Sequence, residues 1–332
     1  MKRHAHLFDK IFEFGNLLTA SKKAMKAKKD HKEVMDLHFT LENELLSLKK
    51  EVLIKSYCPG PLSTFIIYDP KERIISAPTL RDRVLHHAII NVIGPILDKR
   101  FIYHSFACRE EKGMHRAVKY AQSCSRKTTY FLKTDIAGYF PSIDHEVLKE
   151  ILCKIFKDPD LLWLLETIID GERAGHVGLP IGSLTSQWFA NLYLDHFDHY
   201  VKDELGVKNY LRYMDDMLFF GDSKNELHGL KMLAESFLNN ELHLTLKEKA
   251  TILSPVHEGI PFLGLMIYPN FIRIRQPNKR RSIRHLKTRI EQFTRGEITE
   301  EEFSQSVSSI TEHLKIGNTY RLRRDIFHEM FS

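Results

Sequence analysis

Tyr210-Leu211-Arg212-Tyr213-Met214-Asp215-Asp216-Met217-Leu218-Phe219-Phe220 is the stretch from which the chain is read most directly. Apolar and aromatic residues fill both ends and a short polar centre interrupts them, the pattern of two strands joined by a tight turn. That turn carries two adjacent carboxylates, Asp215 and Asp216. A third, Asp135, closes another strand-like run, Tyr130 to Ile136. If the runs are neighbours in one sheet, the three acids converge. Crowded carboxylates repel one another and persist chiefly where divalent cations neutralise them. Hard oxygen ligands with open positions select Mg²⁺, and two such ions about 3.5–4 Å apart stabilise the attacking and leaving oxygens of a phosphoryl transfer. The plain alternative for an Asp-Asp pair is a solvated turn.

Outward from this centre the periodicity alternates between helix and strand. Residues 5 to 56 read as helical, with apolar steps of three and four through Leu7, Ile11, Phe14, Leu17 and Leu18, and again through Leu41, Leu45, Leu48 and Val52. Cys58-Pro59-Gly60-Pro61 ends that region. Short β-like runs follow at 64–68 and 73–77, then a helical pattern from Leu80 to about Leu97. Asp144 is placed as the N-cap of a helix running through Phe156. A glycine-rich connection leads to one helix over about 186–205, and another is expected over about 224–239. Strands are expected near 250–253 and 262–267. Lys279 to Thr294 forms a late helix, Thr299-Glu300-Glu301-Glu302 is a capping-box signature for a second, and Asn318 is suited to cap a third.

The bulk composition sets outer bounds. The chain has 332 residues, 43% hydrophobic, enough to bury a sizeable core. Forty-nine Lys and Arg against 43 Asp and Glu leave a formal charge of +6, which favours a polyanionic partner where the excess is clustered. Four cysteines without CxxC spacing imply neither a disulfide framework nor a zinc site, and so a reducing, cytoplasmic setting. No stretch reaches the roughly 18 apolar residues of a spanning helix, and no membrane is expected as a partner. The 18 histidines show no HExxH spacing, and His86-His87 read as a helix face.

At the acids a resemblance becomes specific. Tyr213-Met214-Asp215-Asp216 resembles the YxDD motif of reverse transcriptases, and Phe131 to Asp135, continuing through Phe140-Pro141-Ser142-Ile143-Asp144, resembles the motif that supplies their first metal-binding Asp. The likeness continues through Gly178 to Gln187, Leu244 to Lys249 and Phe262 to Leu265, and covers about residues 60 to 330. It implies an α+β right-hand polymerase with a helical N-terminal extension over 1–58, fingers with part of the palm over 59–130, palm over 131–270 and a helical thumb over 271–332. It implies two Mg²⁺ ions, with Mn²⁺ as a substitute, on Asp135, Asp215, Asp216 and the Ile136 carbonyl. Primer and template would pass Tyr213 and Met214. Phe140 would lie under the incoming sugar and exclude a 2′-hydroxyl; its plain alternative is a core ring beside Tyr139. Lys249, or Lys247 in its place, would give a proton to pyrophosphate.

The segment around Ile181-Gly182 points to a subtype. Many reverse transcriptases carry Gln before this Gly and Ser-Pro after it, whereas here Ile181 precedes Gly182 and Ser186-Gln187 follows. That combination is similar to the reverse transcriptases of diversity-generating retroelements, group II intron-like enzymes that copy a template RNA and misincorporate opposite adenines. An apolar residue in place of a polar one beside the nascent pair would loosen discrimination. Packing without effect on fidelity is the alternative.

Triphosphate charge requires cations. Arg73 is the first choice and Lys71 the second, with Arg81, Arg83 and Arg109 in the same region. Arg273 to Arg289 holds eight Lys and Arg and no acid, and Arg280, Arg281 and Arg284 are placed on the phosphates of an RNA/DNA duplex. Lys22, Lys23, Lys26, Lys28, Lys29 and Lys32 form a second basic cluster, either a template surface or a solvated helix face. The implied partners are template RNA, the RNA/DNA duplex, dNTPs and a small basic helical accessory protein of the accessory-variability-determinant kind. A defence-type or retron-like bacterial reverse transcriptase is the alternative within the class. A non-catalytic RNA-binding protein on a polymerase scaffold is the alternative outside it.

Overall fold

Strand and helix in this chain follow from which residues each period can bury. The computed structural model describes residues 3–26, 32–68, 72–171, 175–321 and 323–324. Its helices are α1 (Phe8–Ile11), α2 (Phe14–Met25), α3 (Lys32–Leu53), α4 (Leu80–Arg100), α5 (Gly113–Ser125), α6 (His145–Ile155), α7 (Pro159–Gly171), α8 (Leu184–Tyr193), α9 (Asp195–His199), α10 (Lys224–Leu242), α11 (Gln276–Thr294) and α12 (Glu300–Lys315). Its strands are β1 (Ser63–Tyr68), β2 (Glu72–Ala77), β3 (Tyr130–Thr134), β4 (Tyr210–Tyr213), β5 (Asp216–Gly221), β6 (Ile252–Pro255), β7 (Ile260–Phe262), β8 (Leu265–Ile267) and β9 (Ile272–Ile274). The chain divides into two compact units, each assembled from discontinuous segments. One comprises 1–109, 136–207 and 233–247, the other 110–135, 208–232 and 248–332.

The second unit holds the acids. Its central sheet has the order β4-β5-β3-β6 and is antiparallel throughout. Met217, Leu218, Phe219 and Phe220 on β5 are all buried, so both faces of this strand are covered, which is why it reads as a continuous apolar run. Helix α5 packs on β4 and β5. A second antiparallel sheet, β7-β8-β9, follows. Its first hairpin turns through Leu263 (φ 48°) and Gly264 (φ 80°), the two left-handed residues of a type I′ turn. Helices α11 and α12 are tied by Phe293 and Phe303, whose rings stack at 4.7 Å.

The first unit is mostly helical and carries the β1–β2 hairpin. Buried Asp82 organises the base of that hairpin. Its carboxylate accepts from Tyr57 Oη at 2.8 Å, Gly60 N at 3.0 Å and Thr79 Oγ1 at 2.7 Å, while Thr79 in turn caps α4. Three ligands on one acid hold the 57–60 turn and the start of α4 together. Asp144 caps α6 by accepting from Glu146 N and Val147 N, as its position implies.

Several expectations are corrected. The helix expected over 186–205 is broken into α8, α9 and a π-turn at Tyr200–Glu204. The break lets buried Asp195 meet Arg100 at 2.5 Å. The strand expected at 262–267 is instead a hairpin folded at Leu263-Gly264. The strand near 250–253 is shifted to Ile252–Pro255, behind a 3₁₀ turn. Thr299 and Glu302 form the reciprocal capping box, but Asn318 clamps β9 by accepting from Ile272 N at 2.9 Å rather than capping a helix. Helices α5 and α7 lie where no helix was expected.

Candidate active site

The β4–β5 hairpin is the centre of the site. Tyr213 pairs with Asp216, so Met214 and Asp215 form a two-residue turn. Met214 has φ 56°, and positive φ at the first turn residue alone is the type II′ pattern, in which glycine is the comfortable occupant. A side chain there stores strain of about 1–3 kcal/mol that the surroundings must offset. One source is Arg212, the largest fully buried side chain of the described residues, whose Nη1 donates to the Met214 carbonyl at 3.0 Å.

Register brings Asp135 to the same place. Thr134, the last residue of β3, pairs with Met217, so Asp135 leaves β3 beside the start of β5 at Asp216. Asp215 is the next residue back in the turn. The backbone thus carries three acids, distant in sequence, to neighbouring ends of β3 and β5. The side chains are not gathered into a cage: among the described residues no group of three or more His, Cys, Asp and Glu stands close enough to hold a metal ion. Asp216 already has a cation, for Lys133 Nζ lies 2.9 Å from its Oδ1, with both side chains largely covered. In kind, three carboxylates fit a hard divalent ion.

The other residues singled out in the sequence distribute as follows. Lys249 sits exposed on the 3₁₀ turn Glu248–Ala250 beside β3. On α11, Arg280 and Arg284 are exposed, whereas Arg281 donates to Asn278 Oδ1 at 2.7 Å. Arg273 stacks over Phe271 and Tyr268. All of these belong to the unit that holds the acids.

In the other unit, Arg73, Ile181, Pro141, Leu179 and Ser76 line one cavity of about 560 Å³. Phe140, half-buried, begins the 3₁₀ turn that leads into it and meets Tyr139 edge-on, with ring centres 5.7 Å apart. The Phe140 carbonyl accepts from Leu179 N at 2.8 Å, and the Ile181 carbonyl from Ser76 N at 2.8 Å. Gly182 has φ 129°, and a Cβ there would meet the Ser76 carbonyl and Ile75 Cγ2, both at 2.9 Å. Beyond Gly182, Ser183 Oγ lies 3.2 Å from His86 Nδ1. Burial pushes His86 down to about 4, so this ring is neutral at physiological pH. Ile136 is buried, bridged to Leu246.

Two cations proposed for triphosphate are committed elsewhere. Arg81 pairs with Glu51 at 2.6 Å and with Glu44 at 3.8 Å, and Arg109 binds Asp98 and the carbonyls of Ile102 and Ser105. Both guanidinium groups therefore have acid partners in this structure, in each case partly exposed carboxylates. Lys71, Lys28 and Lys29 lie outside the described residues. Lys23 donates to Asn91 Oδ1 at 2.6 Å.

Sequence reading passed over Lys133 and Arg212. For Lys133 a signal existed, since residues two apart on a strand share a face and Lys133 precedes Asp135 by two. For Arg212 there was none, because nothing in a charge within an apolar run distinguishes a buried arginine from an edge one.

A mixed fold with this sheet is shared with solved polymerases. Apo telomerase from Candida tropicalis superposes with a TM-score of 0.50 at 13% identity, over 82% of this chain and 62% of that one. Telomerase from Candida albicans, solved with a fragment of telomeric RNA, gives 0.50 over 77% and 56%. Residues 68–267 match the family described as Reverse transcriptase (RNA-dependent DNA polymerase), and the chain belongs to it. Protein YkfC of Escherichia coli is 26% identical over 276 residues, 69% of this chain and 72% of that protein. The group II intron-encoded protein LtrA of Lactococcus lactis is 26% identical over 159 residues, 44% of this chain and 26% of LtrA. This chain spans 36% of a putative intron 1 protein of Saccharomyces cerevisiae at 22% identity. The chain therefore covers most of YkfC but about a third or less of these intron-encoded relatives.

Gly182→Ala should destabilise the protein by about 1–3 kcal/mol, since the new Cβ meets a backbone carbonyl at a strained φ. Chemical denaturation reads this directly, and an unchanged midpoint would contradict the close approach of Gly182 to β2.

Proposed function

We propose that this reverse transcriptase makes cDNA on a template RNA by two-metal nucleotidyl transfer, and that it does so with low fidelity as part of a diversity-generating retroelement. The observation that carries the chemistry is the register of β3 on β5, which supports Asp135, Asp215 and Asp216 acting at one point. We assign 59–130 to the fingers, 131–270 to the palm and 271–332 to the thumb, behind a helical extension.

Asp135 and Asp215 would hold both ions and Asp216 the second, with the Ile136 carbonyl as a further oxygen donor. Two Mg²⁺ ions, or Mn²⁺ in their place, supply when bound the positive charge that lowers the basicity of the primer 3′-oxygen and neutralises the leaving pyrophosphate. The 3′-oxygen forms a bond to the α-phosphorus of the dNTP as the bond to pyrophosphate breaks. Arg73 binds the triphosphate, and Lys249 delivers a proton to the departing pyrophosphate oxygen. Phe140, on a turn held by Leu179 N, limits room beside the sugar and so excludes a 2′-hydroxyl. Arg280 and Arg284, exposed on α11, grip duplex phosphates with the neighbouring cations.

Error-prone copying rests on Ile181. Its side chain lines the cavity with Arg73 and has no hydrogen-bonding group to read the nascent pair. A small basic helical accessory protein and a cytoplasmic site of action belong to the same reading. Among the described residues no helix is long and apolar enough to cross a membrane. The likeness to LtrA favours one second reading, a group II intron-type enzyme that copies its own intron RNA.

Primer extension on RNA with dNTPs and Mg²⁺ tests the reaction. Asp215→Ala should lose at least about a thousandfold in rate while remaining folded; equal extension by both proteins would remove the catalytic assignment. Phe140→Ala should admit rNTPs at the cost of selectivity, measured as the ratio of kcat/KM for a dNTP and its rNTP, and an unchanged ratio would return Phe140 to the core. Sequencing the cDNA separates the subtypes: errors concentrated at template adenines support the diversity-generating reading, and uniform low error supports the intron-type one.

A further inference from the structure

The ion pair between Lys133 and Asp216 has a consequence for how the acids are loaded. Lys133 lies in β3 opposite Leu218, two residues before Asp135 and diagonal to Asp216 at the head of β5. Alternation puts Lys133, Leu218 and Asp216 on one face of the sheet. The ammonium reaches Asp216 Oδ1 at 2.9 Å, with side-chain exposures of 17% for Lys133 and 24% for Asp216. A pair this well covered is stronger than a solvated surface pair and is less screened by salt.

A carboxylate oxygen that accepts from an ammonium at contact distance cannot at the same time present that lone pair to a hard divalent ion, and the two cations would repel one another across it. Without metal, the lysine relieves part of the repulsion among three acids at the strand ends. With metal, it has to withdraw.

We infer that Lys133 is a tethered counter-ion, a positioning residue that occupies Asp216 until metal displaces it and so raises the metal concentration at which the acids fill. This rests on the proposed reading of the three acids as metal ligands. The competition sits on the acid assigned to the second ion. Lys133 then tunes the threshold of loading without touching the primer or the dNTP.

The test uses the full chain without nucleic acid and Mn²⁺ as the probe, with free Mn²⁺ followed by its electron paramagnetic resonance signal. Lys133→Met, close in shape but uncharged, should bind Mn²⁺ about three- to tenfold tighter than the wild type, the gain that loss of one competing, partly covered ion pair allows. Lys133→Arg should behave as wild type. In an Asp216→Asn background the effect of Lys133→Met should vanish, because the two act through one carboxylate. Should Lys133→Met lower the melting temperature, Lys133→Gln repeats the measurement with a polar tip for this partly exposed position. Unchanged or weaker Mn²⁺ binding in the folded Lys133 variants, or the same gain with Asp216→Asn, overturns the inference. If Asp135→Asn and Asp216→Asn each leave Mn²⁺ binding unchanged, the metal reading itself fails, a result distinct from failure of the lysine alone.

Discussion

Like charges brought to adjacent strand ends are the constraint on which the rest of the structure turns. Carboxylates repel one another where water is partly excluded, and the main chain nevertheless carries Asp135, Asp215 and Asp216 to neighbouring ends of the inner strands β3 and β5. The sheet tolerates this because it is buried elsewhere along its length, Met217, Leu218, Phe219 and Phe220 filling both faces of β5. Two cations complete the balance. Arg212 is buried within β4 and holds the carbonyl of strained Met214, while Lys133 answers Asp216 from the neighbouring strand. An acidic hairpin of this kind is rigid in its backbone and adjustable in its side chains, the combination that a site loaded by metal and substrate requires.

The helical unit solves a different problem, that of presenting a cavity lined by the charged pair Glu72 and Arg73 together with apolar residues such as Leu179 and Ile181. Gly182 lets its segment press against β2, and the Ile181 carbonyl bonds Ser76 N, so the base of the hairpin and the cavity wall are one piece. Ser183 and Thr185 behind that segment bond each other, Ser183 Oγ also reaching His86 Nδ1, and three hydrogen bonds converge on Asp82 at the hairpin root. Arg73 is left at the cavity rather than absorbed into internal pairing, in contrast to Arg81 and Arg109.

Much of this was legible in the residues themselves, and the illegible parts have physical reasons. Alternation and apolar runs placed β1, β2, β3, β4 and β5, and the polar tetrad Tyr213 to Asp216 marked the turn, because period 2 and turn chemistry are local properties. The interruption between α8 and α9 was not legible, since it is a single residue, Leu194, that keeps near-helical backbone angles and carries no turn residue. Leu263-Gly264 was passed over as a turn because apolar neighbours on both sides read as one strand. Asn318 has the composition of a cap, but the Ile272 amide competes for its side chain. The commitment of Arg81 and Arg109 to internal acids is likewise invisible without the fold, whereas Lys133 stood two residues from Asp135 and the rule that pairs them on one face was already in hand.

The most direct test of the account is a crystal structure of the protein with primer, RNA template, an unreactive dNTP analogue and Mn²⁺, read by anomalous scattering. Two manganese peaks are expected within about 2 Å of carboxylate oxygens of both Asp135 and Asp215, with Lys133 drawn away from Asp216. Manganese at the hairpin with Asp135 turned elsewhere, or no ion at any of the three acids in a complex that holds the nucleotide, would contradict it.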